Sequence, residues 1–253
     1  MVVAPAGVAL TDGLGWAVSF VFLAALAAAA VVSVGVPFPN LPGFGTPAVR
    51  SQLAILRRPA LSAHLLLSAV LFAAMFATYT YLAVWLEHVT EFGGGAVGVA
   101  LLSFGAAGFA GNWAAGRLAD RHPTVATAVV AAVLAVMNAA LPLAGSVSSL
   151  LPPVLATWGA AHAAAFVLCQ IRVMAVGDGA PAFASSLNIS ACNAGIAFGA
   201  AAGGWIIEHY GIAMMGFGGT ALAGGALLLA FILLARSAVR RSAGGGHPFH
   251  QCR

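Results

Sequence analysis

The chain has 253 residues, of which 62% are apolar and only 6% are charged. Soluble globular proteins carry about 25% charged residues, so this composition excludes an ordinary water-soluble domain. It also excludes a disordered chain, because apolar residues are too abundant. The net charge of +4 is the balance between six acidic residues and ten arginines. These form no basic face with interleaved aromatic residues, which argues against nucleic-acid binding.

The apolar residues form long segments that each predict a membrane-spanning helix. A bilayer core of about 30 Å needs roughly 20 apolar residues per helix. The segments do not alternate with the period of two that is typical of membrane β-strands. They run over 16–36, 61–86, 95–116, 124–145, 150–171, 182–207 and 213–236. We therefore predict an all-α, polytopic membrane helix bundle.

The connections between these segments alternate in charge. In the predicted arrangement every arginine falls on one side of the membrane. The other side carries Asp12, Glu87, Glu91 and Glu208 and no arginine. Because positively charged loops stay in the cytoplasm, we predict a multi-pass protein of the cell inner (plasma) membrane. Its N-terminus lies outside and its C-terminus lies in the cytoplasm.

Changes in composition along the sequence divide the chain into four parts. Segment 37–58 holds several prolines and glycines and predicts a cytoplasmic linker. It separates residues 1–36 from a six-helix transmembrane bundle over 59–236. Residues 237–253 are rich in Ser, Gly, His and Arg and predict a disordered cytoplasmic tail.

Few ionisable or polar side chains lie inside the predicted spans. His162 lies near the middle of 150–171, where an ionisable group is costly and needs a cavity or a partner. It either contacts a substrate or carries a proton, or it is a neutral histidine bonded to another helix. Each other polar residue is explained at least as well by a hydrogen bond between helices as by substrate contact. These residues are Thr78, Tyr79, Tyr81, Asn112, Asn138, Gln170, Asn188 and Asn193.

Several kinds of site have no signature in the sequence. There is no nucleophile elbow, zinc-protease motif or phosphate loop, so we do not expect an enzyme. The three cysteines have no metal-site spacing, and we expect neither a metal nor a cofactor. No carboxylate lies in the middle of any span. The coupling acid that ion-driven carriers usually keep would then come from elsewhere.

Segment 111–121 reads Gly-Asn-Trp-Ala-Ala-Gly-Arg-Leu-Ala-Asp-Arg and joins two predicted spans. It resembles the G-x-L-A-D-R signature of the major facilitator superfamily, in its second-half copy between helices eight and nine. Segment 184–195, with later glycines at helical spacing, is similar to helix eleven of that superfamily's drug and sugar efflux permeases, the arabinose-efflux type. Segment 76–81 is similar to their helix seven, and residues 5–20 resemble the end of helix five and the start of helix six.

The resemblance implies a register for the whole chain. The seven spans would be helices six to twelve of a twelve-helix permease, with 1–36 a remnant of the N-terminal half. Family geometry would place five side chains against the substrate cavity, namely Tyr79, Tyr81, His162, Asn188 and Asn193. It assigns Asn138 to packing. The signature loop would comprise Gly116, Arg117, Asp120, Arg121 and Arg172, with Asp120 paired to Arg172.

The resemblance also implies a function. We expect proton-linked efflux of small molecules, drugs or sugars, by alternating access, in a chain that looks N-terminally truncated. The expected partners are the lipid bilayer, a small-molecule substrate, and either a second half-transporter or a second copy of the chain. The alternative is a non-transporting membrane remnant or interaction protein that needs a partner half. An intramembrane enzyme is a third class, and it lacks any recognisable site.

Overall fold

The computed structural model describes residues 16–35, 52, 54–119 and 122–244, and all regular structure in these ranges is helical. This confirms the predicted all-α membrane bundle. The helices are α1 (Trp16–Gly35), α2 (Pro59–Tyr79), α3 (Leu82–Val89), α4 (Gly94–Ala119), α5 (Pro123–Ser146), α6 (Leu151–Val176), α7 (Pro181–Tyr210) and α8 (Met215–Gly244). Proline opens several of them, because its fixed φ suits the first turn and its missing N–H is not needed there.

Six of the predicted spans appear as helices long and apolar enough to cross a membrane. They are Pro59–Val89, Gly94–Ala119, Pro123–Ser146, Ser148–Val176, Pro181–Tyr210 and Ile212–Val239. The first predicted span, 16–36, is also helical and forms α1. The part of α1 that could be compared with the six long helices, Phe20–Ser33, is apolar but shorter than any of them. Side chains along α1 such as Val21, Leu26 and Val31 are exposed.

The second predicted span, 61–86, contains a break that the sequence pattern did not predict. α2 ends at Tyr79 and α3 begins at Leu82. The hydroxyl of Thr80 donates a 2.6 Å hydrogen bond to the carbonyl of Phe76, and the amide of Tyr81 bonds three residues back to Thr78. A threonine that bonds back to its own helix bends it, and the tightened last turn ends α2 there.

The C-terminal part of the chain also differs from the prediction. α8 runs to Gly244, so the first residues of the predicted disordered tail, 237–253, are helical. The linker predicted over 37–58 lies mostly outside the described residues, and Ile55–Arg57 within it form a 3-10 turn.

The helices pack mainly in pairs, with α2 against α7, α4 against α6, and α5 against α8. Glycines on α7 make the first of these contacts very close. A Cβ added at Gly195, Gly199 or Gly203 would collide with the carbonyl group of Ala69, Ala73 or Ala77, respectively. Backbone therefore lies directly on backbone along three turns, as small residues permit in lipid.

The bundle has two ends of opposite charge. The ends of the helices that carry Arg57, Arg58, Arg117, Arg172 and Arg236 form one end, which we call the arginine-rich end. The opposite, acidic end carries Glu87, Glu91 and Glu208. The distribution matches the alternation predicted from the connections.

Candidate functional site

His162 lies at the centre of a cluster of aromatic rings from three helices. Its ring centroid is 4.8 Å from that of Tyr79, 5.5 Å from those of Phe76 and Phe104, and 5.9 Å from that of Phe166. Helical spacing brings the rings together. Phe76 and Tyr79 lie three residues apart on α2, and His162 and Phe166 lie four apart on α6. We call these five residues the ring cluster.

The imidazole of His162 has no exposed surface, and neither ring nitrogen has a hydrogen-bond partner among the described residues. A buried polar group without a partner costs about 1–3 kcal/mol, more than a packed apolar ring would. The cluster reaches the surface through other rings. Phe166 is 41% exposed, and Phe76 and Tyr79 are half-buried. His162 therefore lies one ring beneath the surface of the bundle.

Phe104 belongs to the cluster because α4 and α6 approach closely. A Cβ added at Gly159 would collide with the carbonyl of Phe104, and one added at Gly111 would collide with the carbonyl of Ala160. The Phe104 ring stacks on Tyr79 at 5.3 Å and meets the Trp158 ring edge-on at 5.2 Å. Nothing in the sequence distinguishes these phenylalanines, because aromatic rings in apolar spans carry no distinguishing signal.

Tyr81 lies outside the ring cluster. Its hydroxyl donates a 2.8 Å hydrogen bond to the carbonyl of Ala200 on α7, and Gly204 leaves room for the phenol. Tyr79 and Tyr81 thus have different surroundings, although the sequence places them two residues apart. The hydrogen bond of Tyr81 ties the break between α2 and α3 to α7.

Asn188 and Asn193 face different surroundings on α7. Asn188 is buried, and its amide donates a 2.9 Å hydrogen bond to the Gln170 side chain on α6. Gln170 in turn donates to the hydroxyl of Ser185. Asn193 is exposed. Because a helix turns about 100° per residue, positions five apart lie about 140° apart and cannot share a face.

A second group of buried polar atoms lies where α2, α5 and α8 meet. Neither the hydroxyl of Thr78 nor the side-chain amide of Asn138 has a hydrogen-bond partner among the described residues. Both lie beside Gly219, where an added Cβ would meet them. Asn138 was assigned to packing, and it is buried there without the hydrogen bonds that usually accompany such burial.

The predicted signature loop is only partly described. Gly116 and Arg117 lie in the last turns of α4, and the guanidinium of Arg117 lies 3.8 Å from the centroid of the Trp113 ring. Asp120 and Arg121 lie outside the described residues, and so does the predicted pairing of Asp120 with Arg172.

Arg172 is almost fully buried near the end of α6, with 1% of its surface exposed. One terminal nitrogen donates to Nδ1 of His64 at 2.8 Å and to the His64 carbonyl at 3.1 Å. The other donates to the hydroxyl of Ser68 at 2.8 Å. Nothing in the sequence distinguishes His64 or Ser68, because a lone histidine and a lone serine in an apolar span predict no partner.

No group of three or more potential metal ligands is found among the described residues.

No family model matches the chain. Inner membrane transport protein YdhP of Escherichia coli O157:H7 is 35% identical over 229 residues, which cover 90% of this chain and 59% of that protein. The chloramphenicol resistance protein of Streptomyces lividans is 35% identical over 77% of this chain and 51% of its own length. The uncharacterized MFS-type transporter YtbD of Bacillus subtilis (strain 168) is 31% identical over 89% of this chain and 58% of its own length.

The chain belongs to the major facilitator superfamily. These relatives confirm the resemblance drawn from the signature loop and from the glycine-rich segment of the predicted span 182–207. The chain spans 59% of the length of YdhP. That share is consistent with the register of helices six to twelve in a twelve-helix transporter of the superfamily.

Proposed function

We propose that this chain forms one wall of a transport pathway that exports small molecules across the inner membrane by alternating access. The observation that carries the proposal is His162, a buried polar side chain at mid-membrane whose two ring nitrogens have no partner among the described residues. A polar group that is left unpaired at this depth marks a functional site. The matched relatives, two of them named transporters and one a chloramphenicol resistance protein, support export of drug-like molecules.

The ring cluster offers two kinds of contact to a substrate. Phe76, Tyr79 and Phe166 supply aromatic faces that reach the surface. Neutral His162 supplies one hydrogen-bond donor and one acceptor beneath them. These contacts favour an uncharged aromatic molecule, which would stack on the exposed rings with a polar group directed toward the imidazole. Asn193, exposed on α7, would face the same pathway, whereas Tyr81 and Asn188 would position helices through their hydrogen bonds.

The proposal includes an orientation and a role for the loop. The arginine-rich end would face the cytoplasm, following the positive-inside rule. Arg117, Asp120, Arg121 and Arg172 would anchor the cytoplasmic end of the bundle, and Gly116 would leave open space beside the end of α4. A proton would drive export, and its coupling acid would lie outside the six described spans. The opposite wall would come from another six-helix half or from a second copy of the chain.

The test is an accumulation assay with the complete reading frame that encodes this chain. It would be expressed in an efflux-deficient bacterium, and cellular chloramphenicol, further aromatic drugs and arabinose would be measured with and without a protonophore. We expect lower accumulation of at least one compound, restored by the protonophore. His162→Ala and Phe166→Ala should abolish the difference. Phe109→Ala, which removes an exposed ring on α4 outside the cluster, should preserve it.

Two outcomes would contradict the proposal. Unchanged accumulation of every compound, with the protein present in the membrane, would favour the non-transporting alternative. Transport that survives His162→Ala and Phe166→Ala at equal protein level would keep the transporter and remove the ring cluster from its pathway.

A further inference from the structure

A pocket lies at the arginine-rich end, away from the ring cluster. It has a volume of about 200 Å³ and lies between the start of α2 and the last turns of α8. Its lining residues are Pro59, Ala60, Ala63, His64, Leu233, Arg236 and Ser237. None of them is acidic, so the pocket carries the positive charge of Arg236 without a carboxylate in its wall. Nothing in the proposed transport pathway uses this pocket.

Buried Arg172 fixes the hydrogen-bonding role of His64. A guanidinium can only donate, so the 2.8 Å contact makes Nδ1 of His64 the acceptor. The ring proton of the neutral imidazole must then be on Nε2. The pocket is therefore lined by a histidine whose remaining ring nitrogen is a donor. The adjacent cation polarises that N–H and strengthens it as a donor toward an anion.

The beginning of α2 adds to the positive potential of the pocket. No side chain caps this helix end, and its first turn contains no acidic residue. The amides of Leu61 and Ser62 bond to the carbonyl of Arg58, whereas no such bond is recorded for the amide of Ala60, a lining residue. A helix N-terminus carries a partial positive charge that favours an anion. His64, Arg236 and this helix end thus converge on one small space.

The size and position of the pocket indicate its occupant. A drug-sized ligand needs a pocket of about 300–1,000 Å³, which is larger than this one. A phosphate group fits the donors, and basic pockets between membrane helices bind lipid headgroups. Ala60, Ala63 and Leu233 give the same pocket an apolar side, which a free phosphate ion would not use. We propose that this pocket binds the phosphate group of an anionic phospholipid.

The test is native mass spectrometry of the purified full chain with added lipid. Short-chain phosphatidylglycerol, phosphatidylcholine of the same chain length, and inorganic phosphate would be titrated separately. We expect phosphatidylglycerol adducts at the lowest concentration. Arg236→Gln should weaken them about fivefold, the factor expected for one arginine near an anionic lipid. Arg117→Gln removes the same charge from the same end of the bundle, outside the pocket, and should leave the adducts unchanged.

A second variant tests the shape of the pocket without changing its charge. Ala63→Leu places a larger side chain in the space and should reduce phosphatidylglycerol binding while Arg236 remains. Equal binding of both lipids, or equal losses in Arg236→Gln and Arg117→Gln, would overturn the proposal. Inorganic phosphate that binds as tightly as phosphatidylglycerol would identify a free-phosphate site and overturn the lipid assignment. Loss of folded protein in either variant would be detected as a lower unfolding temperature without lipid.

Discussion

The rings of His162 and Tyr79 lie 4.8 Å apart between centroids, with their planes tilted by 44°. The two residues come from different helices and pack in one cluster. The contact joins α6 to the last residue of α2, immediately before the break at Thr80. Any bending of the chain at that break changes the surroundings of the imidazole. The geometry thus links a fully buried polar side chain to the break between α2 and α3.

The substitution His162→Phe separates packing from function. Phenylalanine preserves the ring in an aromatic environment and removes two unpartnered nitrogens, whose burial costs about 1–3 kcal/mol. We expect a higher unfolding temperature in detergent together with loss of export. Thermal unfolding and drug accumulation would be measured on the same variant.

His162→Ala is the comparison for that variant. It removes the nitrogens and also leaves a cavity, so we expect loss of export with a lower unfolding temperature. Full export by His162→Phe would show that the imidazole serves packing alone.

The close contact between α2 and α7 predicts a strong effect of one added methyl group. Gly199→Ala would place a Cβ 2.7 Å from the Cα of Ala73, so the two backbones must separate. We expect a loss of about 1–3 kcal/mol in the free energy of unfolding.

Gly98→Ala is the matched control, because a Cβ at Gly98 has no neighbour within 4 Å. In the helix interior this change should be neutral or stabilising by up to about 1 kcal/mol. Denaturant unfolding of both variants would test the difference, and equal effects at the two glycines would contradict the close contact.

The hydrogen bond between Gln170 and Asn188 predicts non-additive stability. Each single change to leucine leaves the other amide without this partner, Asn188 in a buried and Gln170 in a half-buried position, whereas the double variant removes both amides. A double-mutant cycle should give a coupling energy near 0.6 kcal/mol, the average for hydrogen bonds between membrane helices.

Export by the double variant would assign this pair to helix packing. A coupling energy of zero would mean that the two amides do not bond in the membrane.

The predicted orientation can be tested with single cysteines. Cys169 and Cys192 are buried, so they should resist a membrane-impermeant maleimide, and Cys252 would be replaced by serine. Gly95→Cys lies near the acidic end, and His122→Cys lies at the arginine-rich end in an exposed position.

In intact cells we expect labelling at position 95 but not at 122, and labelling at both after the cells are broken. The reverse pattern in intact cells would invert the proposed topology.

The sequence predicted the spans well because hydropathy and helix length are set by the bilayer rather than by packing. All six described long helices contain the segments predicted for them. The break after Tyr79 escaped prediction because it depends on one hydroxyl bonding back to its own helix. The continuation of α8 to Gly244 was not predicted, because a sequence rich in Ser, Gly and Arg resembles a disordered tail.

The candidate site was predicted less completely. Depth in the membrane identified His162, but it could not identify the phenylalanines around it, because they look like any other apolar residue in a span. Helical geometry alone would have separated Asn188 from Asn193. The bond from Arg172 to His64 joins residues 108 positions apart, and no local pattern predicts such a contact.

The glycine contact between α7 and α2 has a mechanical consequence. Two backbones that touch at three successive turns have no flexible side chains between them to absorb a small displacement. A slide of less than a full turn would move all three glycines out of register with Ala69, Ala73 and Ala77. In a rocking bundle, α2 and α7 therefore move together as a single lever, and the break at Thr80 is the point at which that lever can bend.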